Sequence, residues 1–208
     1  MRILAISLIT VALSVCLASG GQDLFDDLHA RGRIMEAKIQ TISARFTETT
    51  VSSLLAKPLV AKGTLIAAKP PRLLLKYMSP ERKTLLMDGN RLVVFWHDRG
   101  ETEKLDITEI MKRVNQYFTN ADASQVRRAF DVRAFPDTEF SNAYQLDMVP
   151  RRKQIKQGLQ RLQIWIDRDS LLLRQMKMSF PGGDSDTIRI DDITLNTPLA
   201  PNAFEVAK

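Results

Sequence analysis

The sequence predicts a mainly β, α+β fold: a curved antiparallel sheet of about ten strands, with a few helices available to cover one face. Three observations carry this. After one N-terminal helical pattern the apolar period falls from about 3.6 residues to two. Strand-length segments then follow one another across short Pro-, Gly- and Asn-bearing turns, which leave no room for the crossover helices of a parallel sheet. A single helical interlude, between Thr108 and Phe130, divides this run of strands from a second one.

Taken in order, Leu24, Leu28, Met35, Ile39 and Ile42 fall at helical spacing, with Asp23, Asp26 and Asp27 where the dipole of a helix start favours acids. Gly32 sits in the middle of that helix, and His29 is expected on its polar side. From Ile42, apolar Ala44 and Phe46 alternate with Ser43, Arg45 and Thr47, the mark of a half-buried strand. Further strands are expected at Lys62 to Lys69, Arg72 to Met78, Thr84 to Met87, Arg91 to His97 and Glu101 to Ile107. Pro70-Pro71, Ser79-Pro80, Asp88-Gly89-Asn90 and Asp98-Arg99-Gly100 punctuate them. Thr108 to Phe118, with Thr108 as N-cap, and Ala123 to Phe130 read as helices. Strand patterns resume at Ala143 to Val149, Leu159 to Ile166, Leu171 to Phe180 and Thr187 to Leu195.

The chain opens with Arg2, an apolar stretch from Ile3 to Leu17 and small residues from Ala18 to Gly21, the order of a cleavable export signal. The division expected is therefore 1–20 signal peptide and 21–208 a single domain, located outside the cytoplasm. The only cysteine, Cys16, lies in the leader. Leu13-Ser14-Val15-Cys16 approaches a lipidation motif, with Val15 where a small residue belongs. Once the leader is removed no thiol remains for a disulfide or a nucleophile. The net charge of +6 becomes +5 with the loss of Arg2, too mild for a nucleic-acid binder, and no nucleic acid is expected as a partner.

Little in the chain points to catalysis. There is no nucleophile elbow, P-loop, dinucleotide fingerprint or paired-histidine zinc helix, and His29 and His97 stand in unrelated contexts. Asp184, Asp186, Asp191 and Asp192 lack the spacing of a calcium loop. The protein is expected to be a monomer without enzymatic activity, cofactor or metal. The densest charge run, Arg151-Arg152-Lys153 with Lys156 and Arg161, fits either a solvated hairpin connection or a dock for anionic headgroups or an acidic partner. Alternation on Leu73, Leu75 and Tyr77, and on Leu92, Val94 and Trp96, gives two strands an apolar face. Whether that face lines a cavity or a packed core decides the function, and period alone does not distinguish them.

The segment from Lys62 to Asp98 resembles the signature stretch of the LolA family of periplasmic lipoprotein carriers. Gly63-x-Leu65 leads into Lys69-Pro70, then the strand Leu73 to Tyr77 ending near Pro80, then the Asp88-Gly89 turn and the strand Leu92 to Trp96. Asp169 in a turn, the Asn196-x-Pro198 segment and Phe204 extend the resemblance to the C-terminus. It implies that the sheet is an incomplete antiparallel β-barrel (half-barrel) of about ten strands covered by a helical lid, binding acyl chains of a lipoprotein or related lipid and carrying them toward the outer membrane. Phe46, Leu65, Leu73, Leu75, Tyr77, Leu86, Val94 and Trp96 would line the lipid-binding face, and Lys69 would latch the lid. An inner-membrane donor complex and an outer-membrane acceptor are the implied partners. Two departures stand out: Lys69 replaces the family's usual arginine and loses its planar fork, and Leu73 and Leu75 replace common aromatic residues. The alternative is an envelope sensor or interaction module of the same fold that binds a protein partner without transport.

Overall fold

The computed structural model describes residues 24–137, 140 and 142–206, so the leader with Cys16 lies outside the described residues. Helix α1 (Leu24–Lys38) precedes six strands: β1 (Thr41–Val51), β2 (Leu59–Ala68), β3 (Arg72–Ser79), β4 (Lys83–Asp88), β5 (Arg91–Trp96) and β6 (Glu101–Asp106). A helical segment follows, made of α2 (Thr108–Val114), a π-helix (Asn115–Thr119) and α3 (Ala123–Ala129). Strands β7 (Phe130–Pro136), β8 (Ala143–Pro150), β9 (Arg161–Asp167), β10 (Leu173–Ser179) and β11 (Ser185–Leu195) complete the chain, with a one-turn helix α4 (Lys153–Lys156) between β8 and β9.

The eleven strands form one antiparallel sheet in the order β6-β5-β4-β3-β2-β1-β11-β10-β9-β8-β7. The sheet stays open, and its two edges, β6 and β7, are the strands that the α2–α3 segment joins. That segment therefore runs from one edge to the other, and together with α1 it covers the inner face. A single apolar cluster fills the space between, drawing Phe25 and Leu28 from α1, Met111 and Val114 from α2, Val126 from α3 and alternate residues from the strands.

Local chemistry explains the elements. Helix α1 carries Asp26 and Asp27 in its first turn and Lys38 in its last, and it continues unbroken through the buried Gly32. A reciprocal capping box opens α3: Gln125 N donates to Asp122 Oδ1 at 2.8 Å and Asp122 N donates to Gln125 Oε1 at 2.7 Å. Gly89, at φ +56°, supplies the left-handed residue of the β4–β5 turn.

Three expectations need correction. The sheet has an eleventh strand, β7, because Phe130 begins a strand instead of ending a helix. Its Phe130 and Val132 face inward, and Asp131 and Arg133 outward. Thr108 is the first helical residue, not the N-cap: Asp106 Oδ1 accepts from Thr108 N at 2.7 Å. His29 is not a free polar-face residue but half-buried: it packs on Phe25, with its Nε2 3.1 Å from the Ala121 carbonyl oxygen. The run Arg151 to Lys156 lies, as expected, in the connection between two strands, with Arg151, Arg152, Lys153 and Lys156 exposed; Arg151 pairs with Asp131 at 2.9 Å.

Candidate functional site

Strand register sorts the inner face into three rows. Phe46, Gly63, Tyr77, Lys83 and Trp96 are Cα partners across β1 to β5. The next row holds Ala44, Leu65, Leu75, Leu85 and Val94, and the third Ile42, Ala67, Leu73, Met87 and Leu92. Seven of the eight wall residues expected from the sequence thus share one face. Leu86 does not: its neighbours Leu85 and Met87 face the helices, so alternation turns Leu86 outward, between Leu74 and Val93 on the opposite side.

The middle of this face is packed. Leu73, Leu75 and Leu65 are at most 2% exposed, and Phe46 and Tyr77 lie edge to face with ring centroids 4.9 Å apart. Open space lies at the two ends. A cavity of about 310 Å³ opens where the end of α1 meets the β2–β3 and β4–β5 turns, floored by Ile39, Ile42, Ala67 and Met111 and rimmed by Glu36, Lys69, Arg72 and Asp88. Asn115 and Thr119, the two ends of the π-helix, form its remaining side. A smaller cavity of about 110 Å³ lies at the other end, beside Leu59, Tyr77 and Leu85.

Lys69 stands on the rim of the cavity of about 310 Å³. Its Nζ donates to the Glu36 carbonyl at 2.6 Å and its main-chain N to the Gln40 carbonyl at 3.0 Å, which fastens the sheet to the C-terminal end of α1, where the dipole favours a cation. Arg72 stacks on Phe204, 4.5 Å from the ring centroid, and its buried Nε has no hydrogen-bond partner among the described residues.

The sequence did not reveal that α1 is also tied to the interlude. Arg33 donates to the Thr119 carbonyl at 2.5 Å, His29 meets the Ala121 carbonyl, and Arg127 pairs with Asp26 at 3.1 Å. Burial, aided by Arg33, lowers the His29 pKa below its ordinary value; the Ala121 carbonyl, Asp122 and Asp26 oppose this. These ties join residues about a hundred positions apart, and no sequence spacing marks them.

The four aspartates considered for calcium have protein partners instead: Asp184 accepts from Ser52 and Ser53, Asp186 from Thr50, Asp191 from Arg189, and Asp192 pairs with Arg45. No cluster of His, Cys, Asp and Glu able to hold a metal occurs among the described residues. No described helix is long and apolar enough to cross a membrane.

The outer membrane lipoprotein carrier protein LolA family matches residues 37–207. The chain belongs to the LolA family. No curated protein matches the sequence. Among solved structures, an uncharacterized conserved protein from Thermus thermophilus has a TM-score of 0.56 at 8% identity, covering 85% of this chain and 90% of that one. MucB gives 0.53 at 13% identity, covering 84% and 60%, and the MucA/MucB complex of Pseudomonas aeruginosa gives 0.52 at 16%, covering 84% and 59%. The chain spans about three fifths of the MucB chains. At these identities the likeness is one of fold.

Proposed function

We propose that the protein is a non-enzymatic carrier, exported to the periplasm, which takes up the acyl chains of a lipoprotein or related lipid and delivers them toward the outer membrane. The observation that supports this best is the cavity at Lys69. Its floor residues Ile42 and Ala67 belong to the same row as Leu73, so a chain entering there meets apolar surface that continues under the helices. About 310 Å³ is the small end of the range for ligand sites and accommodates only part of a long chain. Deeper burial requires α1 and the α2–α3 segment to move off the sheet. Their polar ties are few and half-exposed, each worth roughly 1 kcal/mol or less. An acyl chain with roughly fifteen buried methylenes gains about 12 kcal/mol. At the rim, Lys69 and Arg72 offer donors to the oxygen atoms of the cargo's head.

The test is extraction of the purified protein and mass spectrometry of what it carries, combined with uptake of an acylated lipoprotein from membranes. Bound lipid or uptake supports the carrier; neither in a folded protein overturns it.

One observation favours a second reading. The expected wall is packed shut, as suits a module whose ligand is a protein, and MucB, which shares the fold, has been solved in complex with MucA. Under this reading a pull-down from the envelope returns one stoichiometric partner, and delipidation leaves the complex intact.

A further inference from the structure

Nine large apolar side chains are exposed among the described residues, and six of them gather at one end of the sheet: Val51, Leu54, Leu55, Leu59, Val60 and Met78. They surround the turn between β1 and β2, with Leu54 at its apex, 91% exposed. The turn is fixed in place. Ser52 Oγ donates to Asp184 Oδ2 at 2.9 Å, Ser53 N to Asp184 Oδ1 at 3.1 Å, and Leu55 N to the Ser52 carbonyl at 3.0 Å. The neighbouring β10–β11 turn therefore holds the leucines outward, and they cannot fold back onto the sheet while those bonds last. A contiguous apolar surface of this kind on an otherwise charged chain marks a place of contact.

The charge around it selects the contact. Lys57 lies in the turn itself. Lys62 follows Val60 by two residues and shares its face, and Lys76 precedes Met78 by two and shares its face. Lys177 is aligned with Val60 across Thr187 and Thr49. None of the four lysines belongs to an ion pair among the described residues. The connection between β8 and β9, with Arg152, Lys153 and Lys156, ends on the same side of the sheet. An apolar tip in a collar of unpaired cations is complementary to a layer with acyl chains below and phosphates above. A second copy of the same tip would bring lysine against lysine.

We infer that the β1–β2 turn is a membrane-docking tip, which inserts Leu54 and Leu55 into the surface of an anionic phospholipid bilayer while the lysines meet its phosphates. The inference does not depend on what the cavities hold. Docked in this way, the chain presents the small cavity beside Leu59 and Tyr77 toward the lipid.

The experiment is co-sedimentation of the protein, wild type and variants purified in one processed form, with vesicles of phosphatidylcholine alone or mixed with phosphatidylglycerol. Wild type should partition onto the mixed vesicles and release as salt is raised. Leu54→Asp with Leu55→Asp should weaken partitioning at least about tenfold. Lys57→Gln, Lys62→Gln and Lys76→Gln together should weaken it roughly a hundredfold on mixed vesicles, at about a factor of five per lysine. As a variant that keeps the tip apolar, Leu54→Trp should shift its emission to the blue when mixed vesicles are added. Wild type that stays in solution, variants that partition equally, an unshifted emission spectrum in Leu54→Trp, or a self-association that Leu54→Asp abolishes would each overturn the inference.

Discussion

Gly63→Ala tests the packing on which the inner face rests. Gly63 is the Cα partner of both Phe46 and Tyr77, the two rings that meet edge to face at 4.9 Å. A Cβ at this position would stand 2.2 Å from the Lys76 carbonyl oxygen and 2.7 Å from two atoms of the Phe46 ring. Neither neighbour yields easily: the oxygen is β3 main chain, and Tyr77 backs the ring. Overpacking of this sort costs about 1–3 kcal/mol, and contact with backbone puts it near the upper end. Alanine recovers about 0.5–1 kcal/mol of chain entropy, which leaves a net loss of roughly 2 kcal/mol. In a domain of this size that lowers the melting temperature by about 4–8 °C. Thermal and urea unfolding followed by circular dichroism measure it. The decisive control is the double variant with Phe46→Leu, which removes the ring and should relieve part of the cost, so that the two changes are less than additive. Full stability in Gly63→Ala, or strict additivity in the pair, would refute the reasoning.

Four further outcomes follow. Leu28→Ala, at a fully buried position of α1, should cost about 3 kcal/mol in urea unfolding; under the carrier proposal it should also strengthen binding of a fluorescent fatty acid, because it weakens the helical cover that an entering chain would displace. Lys69→Met should cost only about 0.5–1 kcal/mol by thermal melting and speed amide exchange at the end of α1, since it removes one exposed cation from a helix terminus. Because the folded pKa of His29 lies below its ordinary 6.5, the unfolded chain takes up the proton first. Stability should therefore fall as the pH drops below about 6.5, and His29→Gln should flatten that part of a melting-temperature profile. Burial acts to raise the Asp167 pKa, but hydrogen bonds from Ser170, Arg174 and Asp169 outweigh it and hold the group below its ordinary 3.8. The stability it confers is complete above that value and lost as the pH falls through the folded pKa. Asp167→Ala should cost about 2 kcal/mol at neutral pH and remove that acid-dependent loss.

What the sequence disclosed was local. Alternation on β3 and β5 put Leu73, Leu75, Tyr77, Val94 and Trp96 on the helix-facing side, and short turns made the sheet antiparallel. Leu86 went astray because β4 reads Thr84-Leu85-Leu86-Met87, three apolar residues in a row, where alternation has no phase of its own and only pairing with β3 and β5 sets it. Strand β7 was hidden for a related reason. Its alternation begins at Phe130, directly after the last turn of α3, with no Gly or Pro between them to mark the change of period. The ties from α1 to Thr119, Ala121 and Arg127, and from Lys69 to Glu36, use main-chain carbonyls or partners distant in the chain. The resemblance anticipated a role for Lys69, but only the folded chain names what it holds.

The packed interior bears on release as much as on uptake. Phe25, Leu28, Met111 and Val114 themselves fill the inner face, and four such side chains represent about 8 kcal/mol of burial. Under the carrier reading an entering chain must displace them, so its gain of about 12 kcal/mol shrinks to roughly 4, an affinity near the millimolar range. The protein's own helices then act as the competitor that lets a single chain go. A second chain entering the same opened face adds its burial without lifting the lid again. On that proposal, cargo with several acyl chains would be held far more tightly than a free fatty acid, and the discrimination would come from the cost of opening, with no group that reads the chain itself.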